Sequence, residues 1–211
     1  MRGRALIPQR VFFTKGVGVA PHKLQSLEWA LRDAGISACN LVRVSSILPP
    51  HCKQVSKEVG LEQLRAGQIV YCVLADAATD EPQRLIAASI GYALPKSREQ
   101  YGYLAEHHTY GQTSQATGQD AEELAAAMLA ATLGAKFDPK KSWNQQEQAY
   151  QIHGSPVKTG NVTQWAKGHP DGLWTTVLAV AVFVPEDQEP APTKVIVPKR
   201  PTRTPAKKRK K

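Results

Sequence analysis

The order of elements along this chain predicts an α+β sandwich. Three observations carry that expectation. Apolar runs of strand type alternate with two amphipathic helical stretches. Two consecutive strand-like runs stand between those helices, in a β-α-β…β-β-α…β pattern that a purely parallel sheet does not give. And 42% of the 211 residues are hydrophobic, which is enough to bury a core and excludes wholesale disorder.

Taken in order, Val11-Phe-Phe-Thr14 is β-branched and aromatic and reads as a short strand, broken by Gly16 and Gly18. Leu24, Leu27, Ala30, Leu31 and Ala34 recur at helical spacing, with Pro21 before them and Gly35 after, which predicts a helix. Asn40 to Val44 reads as a strand that runs into Ser45-Ser46-Ile-Leu-Pro49-Pro50, where the prolines forbid ladder pairing. Ile69 to Ala75 is a buried-strand run. Leu85 to Leu94 reads as a strand on the evidence of Gly91 and Pro95. Tyr101 to Tyr110 alternates, with Leu104, Glu106 and His108 on one face and Tyr103, Ala105 and His107 on the other. Thr117-Gly-Gln-Asp120 resembles a capping box, and the helix it opens carries Leu124, Met128 and Leu129 before Gly134. Leu173 to Val184 is the last strand. No element is assigned between Gly134 and Leu173.

The net charge of +9 is confined to one end. Residues 190–211 hold nine Lys/Arg and no acid, so residues 1–189 carry 18 basic and 18 acidic groups and are neutral. With six prolines from Pro185 on and no aromatic after Phe183, residues 186–211 read as a disordered tail, leaving residues 1–185 as one domain. The neutral globular part excludes a basic nucleic-acid reading face. Non-specific phosphate binding through the tail stays open as a reading from another class, without aromatics for base stacking. No apolar run reaches the ~20 residues of a membrane span, and the N-terminal stretch lacks a signal-peptide core, so no membrane association is expected. Cys39, Cys52 and Cys72 form no CxxC and no even-numbered framework, which suits a reducing cytoplasm.

Several apparent motifs are set aside. Glu106-His107-His108 has neither one-sided strand placement nor HExxH spacing, so no metal site is expected. Gly16-Val-Gly18 lacks the third glycine of a dinucleotide fingerprint. The Ser45-Ser46 pair is different because of its setting. A strand delivers it, and two prolines stiffen the far side. A constrained peptide whose hydroxyl lies beside its own upstream carbonyl is what an N→O acyl shift requires.

Asn40-Leu-Val-Arg-Val-Ser-Ser-Ile-Leu-Pro-Pro50 resembles the processing site of the pyruvoyl-dependent arginine decarboxylases. Leu31-Arg-Asp-Ala-Gly35, Gln100-Tyr-Gly-Tyr-Leu-Ala-Glu106-His-His-Thr-Tyr-Gly111 and Gly172-Leu-Trp-Thr-Thr-Val177 are similar to that family too, and the resemblance covers about residues 8–185. It implies a four-layer α/β/β/α sandwich and a proenzyme that cuts itself between Ser45 and Ser46. The covalent pyruvoyl cofactor would be made from Ser46, and L-arginine would be converted through a Schiff base to agmatine and CO₂. It implies a homotrimer or a dimer of trimers with sites between subunits. Asn40 matches a position important in the family's site, Glu106 matches its acid, and Glu28 stands where the family places a substrate-binding aspartate. A related amino-acid decarboxylase of altered specificity is the alternative that Glu28 motivates. Read from the residues alone, Asn40 is equally a turn residue and Glu28 an i,i+4 partner of Arg32. Glu106 is either a surface glutamate or, beside Leu104 on a partly buried face, an acid with a raised pKa.

Overall fold

The computed structural model describes residues 7–144 and 149–184. The tail expected over 186–211 lies outside the described residues. The elements are β1 (Arg10–Ala20), α1 (Lys23–Ala34), β2 (Asn40–Arg43), β3 (Ile47–Leu48), β4 (Lys53–Gln54), α2 (Lys57–Leu61), β5 (Ile69–Thr79), β6 (Leu85–Leu94), β7 (Gly102–Tyr110), α3 (Ser114–Thr132), α4 (Pro139–Ser142), β8 (Trp143–Asn144), β9 (Ala149–Ile152), β10 (Ser155–Lys167) and β11 (Trp174–Val184). They form a five-stranded sheet in the order β2-β5-β11-β1-β4 and a six-stranded sheet in the order β3-β7-β6-β10-β9-β8. Val73, Ala75, Ala77, Ile86, Ile90, Leu104, Val177 and Ala179 fill the space between the sheets. The helix α1 covers the outer face of the first sheet over Phe12, Val70, Leu178 and Val180. The helix α3 covers the second over Ala93 and Ala105. The layers are therefore α/β/β/α, as expected.

Both long helices sit on glycines. The strand β1 does not break at Gly16 and Gly18 but continues to Ala20, paired with β11 along its whole length. A Cβ at Gly16 would lie 2.1 Å from the Ala30 carbonyl oxygen, and one at Gly18 would lie 2.1 Å from that of Ser26. These glycines bring the helix backbone against the strand, which a turn reading of the sequence misses. Gly91 in β6 does the same for α3, its absent Cβ being replaced by the Ala121 carbonyl at 2.1 Å. Close approach also decides which helix residues are buried. On α1 they are Ser26, Ala30 and Ala34, while Leu24 is 78% exposed. On α3 the alanines 121, 125, 126 and 130 are buried with Leu129, and Leu124 faces out.

The helix α3 begins four residues earlier than the capping-box pattern suggests. Thr113 is its N-cap, the side chain accepting a hydrogen bond from the Ala116 N–H at 3.2 Å. Thr117 is instead buried, with its hydroxyl 2.7 Å from that of Thr109 on β7, pinning helix to sheet. The 13-residue β10, unassigned from the sequence, is mostly polar and half-exposed and takes its extended form from pairing with β6. Among the described residues no helix is long and apolar enough to cross a membrane.

Candidate active site

The Ser45-Ser46 pair lies where the chain crosses from the edge strand β2 of the first sheet to the edge strand β3 of the second. The strand β2 runs parallel to β5 in the first sheet. Its ladder extends one residue further, the Val44 N–H donating to the Cys72 carbonyl at 3.0 Å. Two residues on, the chain joins the second sheet. The Leu104 N–H donates to the Ser46 carbonyl at 2.8 Å, and β3 pairs antiparallel with β7 through Ile47↔Tyr103 and Leu48↔Gly102. Pro49 then ends the pairing, as its missing N–H requires. Ser45 is thus the one residue between two ladders. Its carbonyl accepts a 2.9 Å hydrogen bond from the Ile47 N–H. This i→i+2 closure folds the backbone tightly around Ser46.

The same junction brings Ser46 to Glu106. The strand alternation of β7 puts Leu104 and Glu106 on the face toward the first sheet, with Leu104 in the core and Glu106 beyond its edge. The Ser46 Oγ donates to Glu106 Oε2 at 3.0 Å. His107 points the other way, 3.6 Å from Asp120 on α3. Glu106 is exposed in the single chain, the surface placement that the residues alone left open beside a partly buried one. Beneath the site the buried Cys72 thiol is pushed up to about 11, chiefly by burial, with Arg43 opposing and the Glu106 carboxylate adding to the rise. Arg43 is itself held by Asp76 at 2.8 Å.

Two other candidate residues are not brought to Ser46. Asn40 opens β2 and donates from Nδ2 to the Gly67 carbonyl at 2.9 Å. Five residues of extended chain separate it from Ser45, about 16 Å at ~3.3 Å per residue. Glu28 lies on α1, across the first sheet, and its carboxylate grips Arg32 through Nη2 at 2.7 Å and Nε at 2.9 Å. That is the i,i+4 pairing the residues alone suggest. Beside Asn40 on the same face of the sheet, Val42, Ile69 and Tyr71 are exposed, Ile69 by 62%. Two concavities, of about 970 and 510 Å³, lie elsewhere and are lined by neither Ser46 nor Glu106. The amides that touch the Ser45 and Ser46 carbonyls had no signal in the sequence, because every residue but proline carries one.

Comparison with known proteins gives the family. The model of the pyruvoyl-dependent arginine decarboxylase family matches residues 10–188. The chain belongs to this family. A probable pyruvoyl-dependent arginine decarboxylase from Chloroherpeton thalassium is 54% identical over 179 residues, covering 85% of this chain and 98% of the relative. Pyruvoyl-dependent arginine decarboxylase 2 of Methanosarcina mazei is 51% identical with the same coverage. The pyruvoyl-dependent arginine decarboxylase of Methanococcoides burtonii is 51% identical, over 85% of this chain and 99% of its own length. Family membership carries a covalently bound pyruvoyl group. The junction fits one: Ser46 is at a constrained turn, its hydroxyl is engaged by a carboxylate, and its carbonyl is anchored to β7.

Proposed function

We propose that the chain cuts its own Ser45–Ser46 bond and, with the group so made from Ser46, converts L-arginine to agmatine and CO₂. The observation that carries this reading is the 3.0 Å hydrogen bond from Ser46 Oγ to Glu106 Oε2 in the uncut chain. Glu106 takes the hydroxyl proton as Oγ attacks the Ser45 carbonyl carbon. The C–N bond breaks, the Ser46 nitrogen takes up a proton, and an ester joins Ser45 to the Ser46 oxygen. Glu106, its carboxylate restored as its proton passes to the Ser46 nitrogen, takes the Ser46 Cα proton; the C–O bond to the Ser46 β-carbon breaks, and Ser45 departs as a carboxylate, leaving dehydroalanine. Water then adds, ammonia departs, and a pyruvoyl group caps residues 46–211. That group supplies a ketone that engages the substrate amine and draws off the electrons left by departing CO₂, a part otherwise played by a separate cofactor. Glu106 is placed to hold the proton returned to the substrate carbon.

The pocket is completed between copies of the chain, in a trimer or a pair of trimers. Supporting this are the exposure of Glu106, the distance of Asn40 and Glu28 from Ser46, and the apolar face formed by Val42, Ile69 and Tyr71 beside the site. From a neighbouring copy, Asn40 would offer its amide to the reacting centre. Glu28 would exchange Arg32 for the substrate's guanidinium, a group its carboxylate already holds with two nitrogens. The longer side chain at a position where the family uses aspartate keeps the charge and moves the fork by about one methylene. Residues 186–211 have no part in the chemistry: relatives covered over 98–99% of their length match only 85–86% of this chain. The same reading places the enzyme in a reducing cytoplasm, with Cys39, Cys52 and Cys72 unpaired.

The test is mass spectrometry with an agmatine assay on the same preparation. The wild-type protein gives chains of 45 and 166 residues and releases agmatine. Ser46→Ala stays a single chain and is inactive. A Ser46→Ala protein split at the same bond would refute self-processing through Ser46.

A further inference from the structure

Self-cleavage places negative charge on two different oxygens in succession. In the acyl shift the charge develops on the Ser45 carbonyl oxygen as its carbon becomes tetrahedral. In the elimination the Ser46 Cα proton leaves, and the electron pair is delocalised onto the Ser46 carbonyl oxygen before the ester C–O bond breaks and Ser45 departs as a carboxylate. Each of these oxygens already accepts one backbone N–H in the uncut chain: Ser45 O from Ile47 at 2.9 Å, and Ser46 O from Leu104 at 2.8 Å. We infer that the two amides divide the maturation between them, Ile47 N–H stabilising the acyl shift and Leu104 N–H the elimination. The inference rests on the reading of Ser46 as the self-processing residue.

The fold supplies the reason the two donors are in place before reaction. Leu104 is fully buried in the core between the sheets, so its amide is fixed by β7 and cannot swing away. It is on the second sheet, whereas the residue whose carbonyl it meets has only just left the first. The Ile47 amide is set by the tight closure around Ser46, which β3 holds from one side through its pairing with Tyr103 and the β2 ladder from the other through Val44. Donors fixed before the charge appears need no reorganisation as it forms, and removing one such donor from an oxyanion costs roughly 10²–10³ in rate. Side chains contribute the nucleophile and the base. Neither carbonyl oxygen receives a side-chain hydrogen bond among the described residues. The cleavage site therefore depends on backbone geometry that substitution of Ile47 or Leu104 by another non-proline residue leaves in place, provided the packing is kept.

The experiment replaces single amides by esters in the full-length chain, using the α-hydroxy acid analogues of isoleucine at 47 and leucine at 104, and follows cleavage by mass with hydroxylamine as a trap. Hydroxylamine cuts the Ser45–Ser46 ester and marks residues 1–45 with a C-terminal hydroxamate. The ester at 47 is expected to slow cleavage about 10²–10³-fold with no 1–45 hydroxamate accumulating, because the first step is impaired; hydroxylamine also cuts the introduced ester, giving a 1–46 hydroxamate that mass tells apart. The ester at 104 is expected to accumulate the Ser45–Ser46 ester, read as the 1–45 hydroxamate and not as cutting at the introduced ester, because only the second step is impaired. Wild-type rates in either ester variant, or the same trapping behaviour in both, overturn the division of roles. Ser46→Ala in parallel separates this from failure of the underlying reading, since cleavage of that variant would remove Ser46 itself. Where an ester chain does not fold, amide hydrogen exchange in uncut Ser46→Ala decides: protected Ile47 and Leu104 amides support the inference, and rapid exchange at either overturns its share.

Discussion

Replacing Glu106 by Gln keeps the side-chain length and a group able to hydrogen-bond Ser46, but removes the group that can take a proton. The distance sets what is lost. Glu106 Oε2 lies 3.0 Å from Ser46 Oγ, within direct transfer range, and among the described residues no other carboxylate bonds to that hydroxyl. A positioned base or acid is worth about 10²–10⁴ in rate, or about 3 to 5 kcal/mol of barrier. Glu106→Gln should therefore cut the Ser45–Ser46 bond slower by that factor, and the fraction that does become cut should turn over slower by a similar factor. Glu106→Asp tests the geometry separately. Shortening by one methylene withdraws the oxygen by about 1.5 Å, past hydrogen-bond range, so cleavage should be slowed yet not lost, because a water can bridge the gap. Freshly synthesised protein is sampled over time, with intact mass reporting cleavage and agmatine release normalised to the cut fraction. A Gln variant that cleaves at the wild-type rate removes Glu106 from maturation. One that also turns over normally removes it from the mechanism.

Gly18→Ala should destabilise the domain by about 3 kcal/mol, since the new Cβ would meet the Ser26 carbonyl oxygen at 2.1 Å and α1 would have to lift off β1; urea unfolding measures it, and an unchanged midpoint contradicts the packing account. Burial pushes the Cys52 thiol up from 9.0 to about 12 and that of Cys72 to about 11. Because the folded state holds these protons more tightly than the unfolded chain, the linked stability is fully present below about pH 9 and is lost as pH rises through 11 to 12. Thiol alkylation at pH 8 should accordingly be much slower in the native protein than in urea, and equal rates would exclude buried thiols. Removing residues 186–211 should leave cleavage and agmatine formation unchanged while abolishing any salt-sensitive adsorption to DNA; loss of catalysis on truncation would put the tail in the site.

The sequence by itself pointed to Ser45, Ser46 and Glu106 as candidates for the chemistry and determined most of the elements that hold them. Ser46 stood out because a serine pair framed by a strand and two prolines is a constrained peptide, and Glu106 because it matches the acid of the family that this segment resembles. The alternation in β7 correctly assigned Leu104 and Glu106 to one face, since strand periodicity is a local property of the backbone. Tertiary structure decided the rest. Gly16 and Gly18 read as breakers because a glycine's local freedom is visible in the sequence, while the helix backbone that fills its missing Cβ comes from another part of the chain. The strand β10 was missed for a related reason: its polar, half-exposed residues carry little strand signal, and β6 imposes the extended form. Asn40 and Glu28 look like neighbours of Ser46 along the chain, yet strand rise takes one about 16 Å away and the first sheet separates the other. The meeting of Ser46 with Glu106, 60 residues later, and the two amides aimed at successive carbonyls exist only because the chain passes from one sheet to the other at Ser45. Pairing between distant strands places those groups, and no property of the residues taken in order encodes a distance between two sheets.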